Sequence, residues 1–478
     1  MRRGWALFVL VVALPLAGCG GSRLSHAELM AMAGAGATAP QAAGAVADGG
    51  AAAGSAASTG GGGGPSSTVS GAQGVPGQVA PAPGAGTTIP GTAASSHAAA
   101  PGETGARSST TGVSPAGPLA PILLGNVGNY SGPAGSSLAG AGPETQVWAA
   151  WVNAHGGIAG HPVQVYTADD GADPAKSLSI IKDMVESRHV VAFIGNETIL
   201  TSQAAIGYLE QHHVPVVGGD ATETAWTSSP VLFPEGTTNF ELYDALAKMV
   251  RRSGLTKVAL LYCIEATQCQ TNGKYVLDQG AAKNGVQIVY SSQVSITQPD
   301  FTPQCLGASS SGAQVIWAIV DSNSYRRLAA SCHRQGIHAQ YVAAQLVVTS
   351  DLADDPDLDG MLASVPTFPW VLGDGPAAAA YQQANQQYAP NLILSSAASI
   401  SWSSGQLLAR ALAHLGAAQP TSDAVLHGLW SLRGETLGGL VPPLTFTANK
   451  PAPVNPCYFV MAIHGGRWTA PEGDHAEC

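Results

Sequence analysis

From Pro121 onward, apolar positions follow two patterns that replace one another along the chain. Short, nearly continuous apolar runs predict buried strands, and stretches with apolar residues three or four positions apart predict amphipathic helices. The strands are predicted at 121–125, 163–166, 190–194, 214–217, 258–262, 286–290, 315–320, 444–447 and 458–463. The helices are predicted at 144–155, 174–187, 202–212, 240–253, 273–284, 325–335, 377–388 and 403–415. Regular alternation of the two predicts parallel sheets covered by helices on both faces.

This patterned part of the chain is long for one folding unit. The roughly 350 residues after position 120 exceed the usual size of one open sheet with its helices, so we expect two α/β lobes. No apolar run in it is long enough to span a membrane, which takes about 20 apolar residues.

The first residues have the layout of a secretory signal. Two arginines follow Met1, an apolar run extends from Trp5 to Leu14, and Leu16-Ala17-Gly18-Cys19 comes next. This ending resembles the lipobox of bacterial lipoproteins. The resemblance implies that residues 1–18 are a signal peptide that is removed, and that the sulfur of Cys19 carries a lipid anchor.

Residues 19–119 have a composition unlike the rest of the chain. Glycine, alanine, serine, proline and threonine dominate, and charged residues are very few. Such a segment cannot bury enough apolar surface to offset its ordering entropy, so we predict a disordered tether. A flexible coil of about 100 residues spans roughly 50–60 Å, enough to hold a globular part clear of a bilayer.

Charge and cysteine content narrow the function. The chain has 31 Asp and Glu against 20 Lys and Arg, which argues against a nucleic-acid partner. Apart from Cys19, six cysteines remain, an even number that suggests disulfides outside the cytoplasm. Fifteen pairings are open, and the simplest joins nearest neighbours: Cys263–Cys269, Cys305–Cys332 and Cys457–Cys478. Zinc is disfavoured because no Cys-x-x-Cys pair occurs, and we expect no metal.

A series of short motifs then resembles one family in order. These are Asn153-Ala-His-Gly-Gly-Ile-Ala-Gly160, Asp169-Asp170 with Asp173-Pro174, Phe193-Ile-Gly195, Val214-Pro-Val-Val217, Asp300-Phe-Thr302, Ala379-Ala-Tyr381 and Ser401-Trp402. Together they resemble the branched-chain amino-acid-binding proteins, type I periplasmic binding proteins that serve ABC importers. The resemblance implies two doubly wound parallel-sheet lobes joined by a three-strand hinge.

The resemblance also implies lobe boundaries. Lobe one would comprise 120–244 and 368–440, and lobe two 245–367 and 441–478. The crossings of the hinge would lie near Tyr243, 366–369 and 437–443.

Candidate ligand-binding residues follow predicted strands of lobe one. In parallel sheets, ligands bind beyond the carboxyl ends of strands, where helix N-termini favour anions. The resemblance implies that hydroxyls there hold an amino-acid carboxylate. The candidates are Tyr130, Ser131, Thr201, Ser202, Asp220 and Thr222. The alternative roles are helix capping for the hydroxyls and core packing for Tyr130.

The matching positions of lobe two depart from the family pattern. Gln270 stands about where the family has a tyrosine, and Asp321 and Gln345 follow later strands. Asp321 could pair with a ligand ammonium group, or it could cap a helix. Since this half of the pattern is altered, a different small polar molecule is as good a candidate as leucine, isoleucine or valine.

These observations predict a monomeric, extracytoplasmic solute-binding lipoprotein without a cofactor. It would capture a small polar solute, such as an amino acid or amide, and deliver it to an ABC transporter permease. An enzyme is not expected, since neither a Gly-x-Ser-x-Gly elbow nor a His-Glu-x-x-His motif is present. The alternative is a lipid-anchored sensor that uses the same fold for signalling.

Overall fold

The fold was analysed in a computed structural model that describes residues 119–238 and 240–478. The predicted signal peptide, Cys19 and the tether up to residue 118 lie outside the described residues. Within the described ranges, no helix is both long and apolar enough to cross a bilayer.

Strands and helices alternate through most of the described chain. The strands are β1 (Ile122–Gly128), β2 (Val163–Asp169), β3 (Ala192–Asn196), β4 (Val216–Gly219), β5 (Leu232–Phe233), β6 (Lys257–Cys263), β7 (Gln287–Val294), β8 (Val315–Ile319), β9 (Gln340–Ala344), β10 (Leu362–Val365), β11 (Phe459–Ile463) and β12 (Trp468–Thr469). The helices are α1 (Gly135–Leu138), α2 (Ala141–Ala154), α3 (Pro174–Glu186), α4 (Gln203–Gln211), α5 (Glu241–Arg252), α6 (Thr267–Tyr275), α7 (Ala281–Lys283), α8 (Thr302–Ser310), α9 (Ser322–Arg334), α10 (Pro376–Tyr388), α11 (Ser396–Ala411) and α12 (Ser422–Ser431).

The first lobe is built on a five-stranded parallel sheet in the order β2-β1-β3-β4-β5. Helices α2 and α11 pack against each other on one face, and α11 also contacts β3 and β4. A separate apolar cluster, with Ile181 of α3 and Leu209 of α4, covers the other face. Helices on both faces bury the short, continuously apolar strands that the sequence pattern predicted.

The second lobe is built on a seven-stranded sheet in the order β12-β11-β10-β9-β8-β6-β7. Its strands β6 to β10 pair in parallel, whereas β11 pairs antiparallel with both β10 and β12. Helix α5 contacts β9 and β10, and α8 contacts β6 and β7. The fully buried Trp317 of β8 lies in its core.

The chain passes between the two sheets three times: between Phe233 and Glu241, between Val365 and Pro376, and between Ser431 and Phe459. The predicted fold class, two α/β lobes with mainly parallel sheets, is confirmed. The residue boundaries assigned to the lobes stay a prediction. The strand predicted at 444–447 is wrong, because only Leu444 forms a single bridge, to Glu435.

Three disulfides join neighbouring cysteines along the chain. Cys263 pairs with Cys269, Cys305 with Cys332, and Cys457 with Cys478. The first links the end of β6 to α6, and the second links α8 to α9. The third holds Cys478 beside the strand edge, where Tyr458 and Glu477 exchange backbone hydrogen bonds of 2.8 Å.

Candidate functional site

A cavity of about 50 Å³ lies between the lobes, where strands of both sheets end. Lobe one contributes residues that follow β1, β3 and β4, and lobe two contributes residues at or after the ends of β6, β7, β8 and β9. Most of the wall is apolar, and it includes Ile199, Leu200, Ile296, Trp317, Ile319 and Leu346. Asp220, Thr222, Gln268, Asn272, Asp321 and Gln345 are among its polar members. The position fits the general rule for ligand sites in open α/β sheets.

Two glycines position Asp220 at the end of β4. Gly218 has φ +70°, and a Cβ added there would lie 1.9 Å from the hydroxyl oxygen of Ser404. A Cβ on Gly219 would lie 2.1 Å from the carbonyl oxygen of Asn196. Only glycine fits this backbone between α11 and β3, and Asp220 follows directly at the cavity.

The carboxylate of Asp220 organises the polar groups of the cavity. Its Oδ1 accepts hydrogen bonds from the backbone N–H of Thr222 (3.0 Å), the Thr222 hydroxyl (2.6 Å) and Gln345 Nε2 (2.8 Å). Gln268 Nε2 in turn donates to the Thr222 hydroxyl oxygen. Gln345 and Gln268 belong to lobe two, so these bonds join the lobes through one carboxylate.

A second group of contacts joins the lobes at the start of α9. Asp321 caps this helix, since its Oδ1 accepts from Ser324 N at 3.1 Å and its Oδ2 accepts from the Ser324 hydroxyl. Across the cleft, Ser136 donates to Asp321 Oδ1 at 3.3 Å, and Ser322 N donates to the Ser137 hydroxyl at 3.0 Å. Of the two roles expected for Asp321, capping is the one observed here.

Three buried carboxyl groups lie near one another on lobe one, and Asp220 is the one of them that lines the cavity. Burial raises the pKa of Asp220 to about 6 and that of Glu235 to about 8. Burial, followed by repulsion from Asp220 and Glu235, raises the pKa of Glu197 well above its usual range. One oxygen of Glu197 and one of Glu235 have no hydrogen-bond partner. Slightly above neutral pH, the negative charge of the cluster therefore resides on Asp220, the group with the lowest pKa.

This cluster does not have the arrangement of a cation site. Among residues 119–238 and 240–478, no group of histidine, cysteine, aspartate and glutamate side chains could hold a metal ion.

Of the predicted ligand contacts, Asp220, Thr222, Asp321 and Gln345 come together around the cavity. Thr201 instead donates to Asp170 Oδ2 at 2.6 Å, and the hydroxyl of Ser202 donates to Glu223. As a result, Ile199 and Leu200 are the members of their loop that line the cavity.

Tyr130, Ser131 and Gln270 also lie outside the cavity lining. Tyr130 donates its hydroxyl to Asn126 Oδ1 at 2.6 Å, and Ser131 is exposed in the loop after β1. Gln270 lies on α6, where its amide donates to the Cys263 carbonyl oxygen at 2.6 Å. Contact of these three, and of Thr201 and Ser202, with a solute stays a prediction.

Several lining residues were missed by the sequence analysis. Gln268 and Asn272 lie one turn apart on α6, and Asn272 Nδ2 donates to the Tyr243 hydroxyl at 2.8 Å. Their four-residue spacing was the available signal, but the helix was predicted to start only at residue 273. Trp317 was assigned to a strand without any indication that it lines the cleft.

The whole of this architecture corresponds to a known family. Residues 121–467 match the profile of the family described as Periplasmic binding protein. The chain belongs to this family. No match was found among curated proteins.

Solved structures of similar fold align with this periplasmic binding protein over almost their whole length. A branched-chain amino acid ABC transporter protein from Thermus thermophilus with bound valine has a TM-score of 0.65 at 16% identity, covering 74% of this chain and 96% of its own. A solute-binding protein from R. palustris in complex with benzoate has a TM-score of 0.61 at 14% sequence identity. The alignment covers 75% of this chain and 98% of that one. A fatty acid ABC transporter substrate-binding protein from Thermomonospora curvata has a TM-score of 0.60 at 19% sequence identity. The alignment covers 75% of this chain and 92% of that one. At these identities the likeness establishes the type I periplasmic-binding-protein fold alone.

Proposed function

We propose that the protein is an extracytoplasmic solute-binding lipoprotein that captures a small polar solute, such as an amino acid or amide, and delivers it to an ABC importer. The observation that carries the proposal is the cavity at the strand ends of both sheets. It is closed by hydrogen bonds that Gln345 and Gln268 of lobe two donate to Asp220 and Thr222 of lobe one. A solute there contacts both lobes, so its binding favours the closed arrangement over an open one.

The structural neighbours support this proposal at the level of function class. Their names refer to valine, benzoate and fatty acid as ligands or cargo of ABC transporter proteins. These solutes share a small size or an apolar body with a polar end. The cavity of this protein combines an apolar wall with polar groups at Asp220 and Gln345, which suits the same general class.

Ligand-dependent stability tests solute capture. The protein is heated with a panel of amino acids, amides, amines and small organic acids, and a solute at 100 times its dissociation constant should add about 2.7 kcal/mol of stability. The double variant Thr222→Val/Gln345→Leu should lose that gain, whereas Ser431→Ala on the exposed end of α12 should keep it. A gain that survives in the double variant would contradict binding at this cavity.

The membrane anchor is tested separately through Cys19. We expect a labelled fatty acid to be incorporated into the wild-type protein in cells, and Cys19→Ser to abolish both the label and membrane retention. Retention of Cys19→Ser in the membrane fraction would contradict the lipid anchor. Loss of solute uptake on deletion of a neighbouring permease gene would support import, whereas unchanged uptake would favour the sensor.

A further inference from the structure

The charges around the cavity have one sign. Asp220, Glu265 and Asp321 line it, and no lysine, arginine or histidine does among the described residues. Glu197 and Glu235, which interact electrostatically with Asp220, are acidic as well. A carboxylate solute would therefore lose its hydration without gaining a cationic partner, which is costly inside a protein.

The carboxylate and amide oxygens of the site keep free lone pairs, whereas its free donors, which include Trp317 Nε1 and the Tyr243 hydroxyl, are all neutral. The three donors to Asp220 all bind Oδ1, and no described residue donates to Oδ2. Because Gln345 gives its amide nitrogen to Asp220, its Oε1 is left without a described donor. The Thr222 hydroxyl donates its proton to Asp220, so it accepts a hydrogen bond from the Gln268 amide nitrogen. The amide oxygen of Gln268 is therefore free in the same way.

Two hydroxyls of the loop after β3 are not available to a carboxylate. Thr201 and Ser202 donate to Asp170 and Glu223, and the same loop turns Ile199 and Leu200 toward the cavity. Much of the remaining wall is aliphatic or aromatic, and Trp317 and Tyr243 add one neutral donor each to it. An apolar body with one N–H group directed at Asp220 would match this distribution of polar and apolar surface.

We infer that the solute carries an N–H donor group, as an amine or a carboxamide, on a small apolar body, and that it is not a carboxylate. This inference rests on the proposed function, because it assigns the solute class of the same cavity, and of the two examples given there it favours the amide over the amino acid. Asp220 Oδ2 accepts the N–H group, Gln345 and Gln268 offer their amide oxygens beside it, and the apolar wall covers the rest. The cavity volume of about 50 Å³ sets the scale of that body to a few water-sized groups.

Two matched series of probes test the inference by titration calorimetry on the whole protein at pH 8. One series is isobutylamine, isobutyramide and isobutyrate, and the other is benzylamine, benzamide and benzoate. In each series the body is nearly constant and the polar end changes. We expect the amine or the amide to bind at least tenfold more tightly than the acid in at least one series.

A pair of aspartate variants identifies the responsible carboxylate. Asp220→Asn removes the negative charge of the side chain and keeps its shape. It should therefore weaken binding of the amines at least tenfold and reduce the difference in affinity between each amine and the matching acid. The control Asp183→Asn removes an exposed carboxylate of α3 that pairs with Arg188, and it should leave both affinities unchanged. Tighter binding of isobutyrate or benzoate than of their amines and amides would overturn the inference and leave solute capture intact. Failure of all six probes to bind would overturn the inference, whereas the proposed function would fall only with the wider panel.

Discussion

The glutamate of α2 that faces the lobe-one core makes the stability of this protein depend on pH. Glu144 is fully buried, its Oε1 accepts from Asn385 Nδ2 at 3.2 Å, and its Oε2 has no partner. Burial raises its pKa to about 8, with a smaller opposing effect of the Asn385 amide. The folded protein therefore holds a proton on Glu144 that the unfolded chain releases near its ordinary pKa of 4.5.

The sign and size of the effect follow from proton linkage. Between pH 4.5 and 8 the folded state binds more protons at this site than the unfolded state, so stability falls as pH rises. Each pH unit in that window costs about 1.4 kcal/mol, so this carboxyl alone removes on the order of 3 kcal/mol between pH 5 and 8. Glu144→Gln has the same shape and cannot ionise, so it removes this dependence.

Urea unfolding of both proteins at pH 5, 6, 7 and 8 measures the effect. The free energy of unfolding of Glu144→Gln minus that of the wild type should rise by about 3 kcal/mol across this range. The pH dependence that Glu235 contributes is present in both proteins and cancels in the difference. Any cost of packing the amide of Glu144→Gln in place of the carboxyl is the same at each pH. Glu472→Gln, which changes an exposed carboxyl, serves as the control. A difference that stays flat with pH for Glu144→Gln would refute the reasoning.

Two further predictions concern backbone and cross-links. Gly218→Ala should lower the free energy of unfolding by about 3 kcal/mol, because it adds left-handed backbone strain to the clash with α11, whereas Gly336→Ala, at φ +66° in open space, should lose only about 1–2 kcal/mol. Equal losses in urea unfolding would contradict the clash. Replacing both cysteines of Cys305–Cys332 by alanine should cost about 1 kcal/mol more than the same change at Cys263–Cys269, because their sequence separations are 27 and 6 residues. The reverse order would contradict this loop-entropy argument.

The strongly periodic elements could be predicted from the sequence because their buried positions form a regular pattern of apolar residues close together in the chain. The run 258–262 was expected as a strand and lies inside β6 (Lys257–Cys263). Helix α6 starts at Thr267, earlier than predicted, because its first turns are polar and carry no apolar period. The alternating run at 444–447 follows Pro442 and Pro443 and finds no continuous partner strand, so alternation alone was misleading there.

The cavity was predictable as a location but not as a chemical surface. Loops after strands were expected to hold a solute, and Asp220, Thr222 and Gln345 do line the cavity. The direction of a hydroxyl, however, depends on distant partners. Thr201 bonds to Asp170, 31 positions earlier, and no local pattern records that contact.

The position of α11 in the chain has a consequence for how the protein reaches its folded state. This helix covers β3 and β4, yet more than one hundred residues of the second lobe separate it from them in sequence. If the chain crosses a membrane with its N-terminus first, β3 and β4 emerge with one face bare and must wait for α11. The segment from β6 to β10 is continuous in sequence, so we expect it to form the first stable nucleus. The lobe nearest the N-terminus would then be completed only after this nucleus has formed, and the cleft would take shape at that later step.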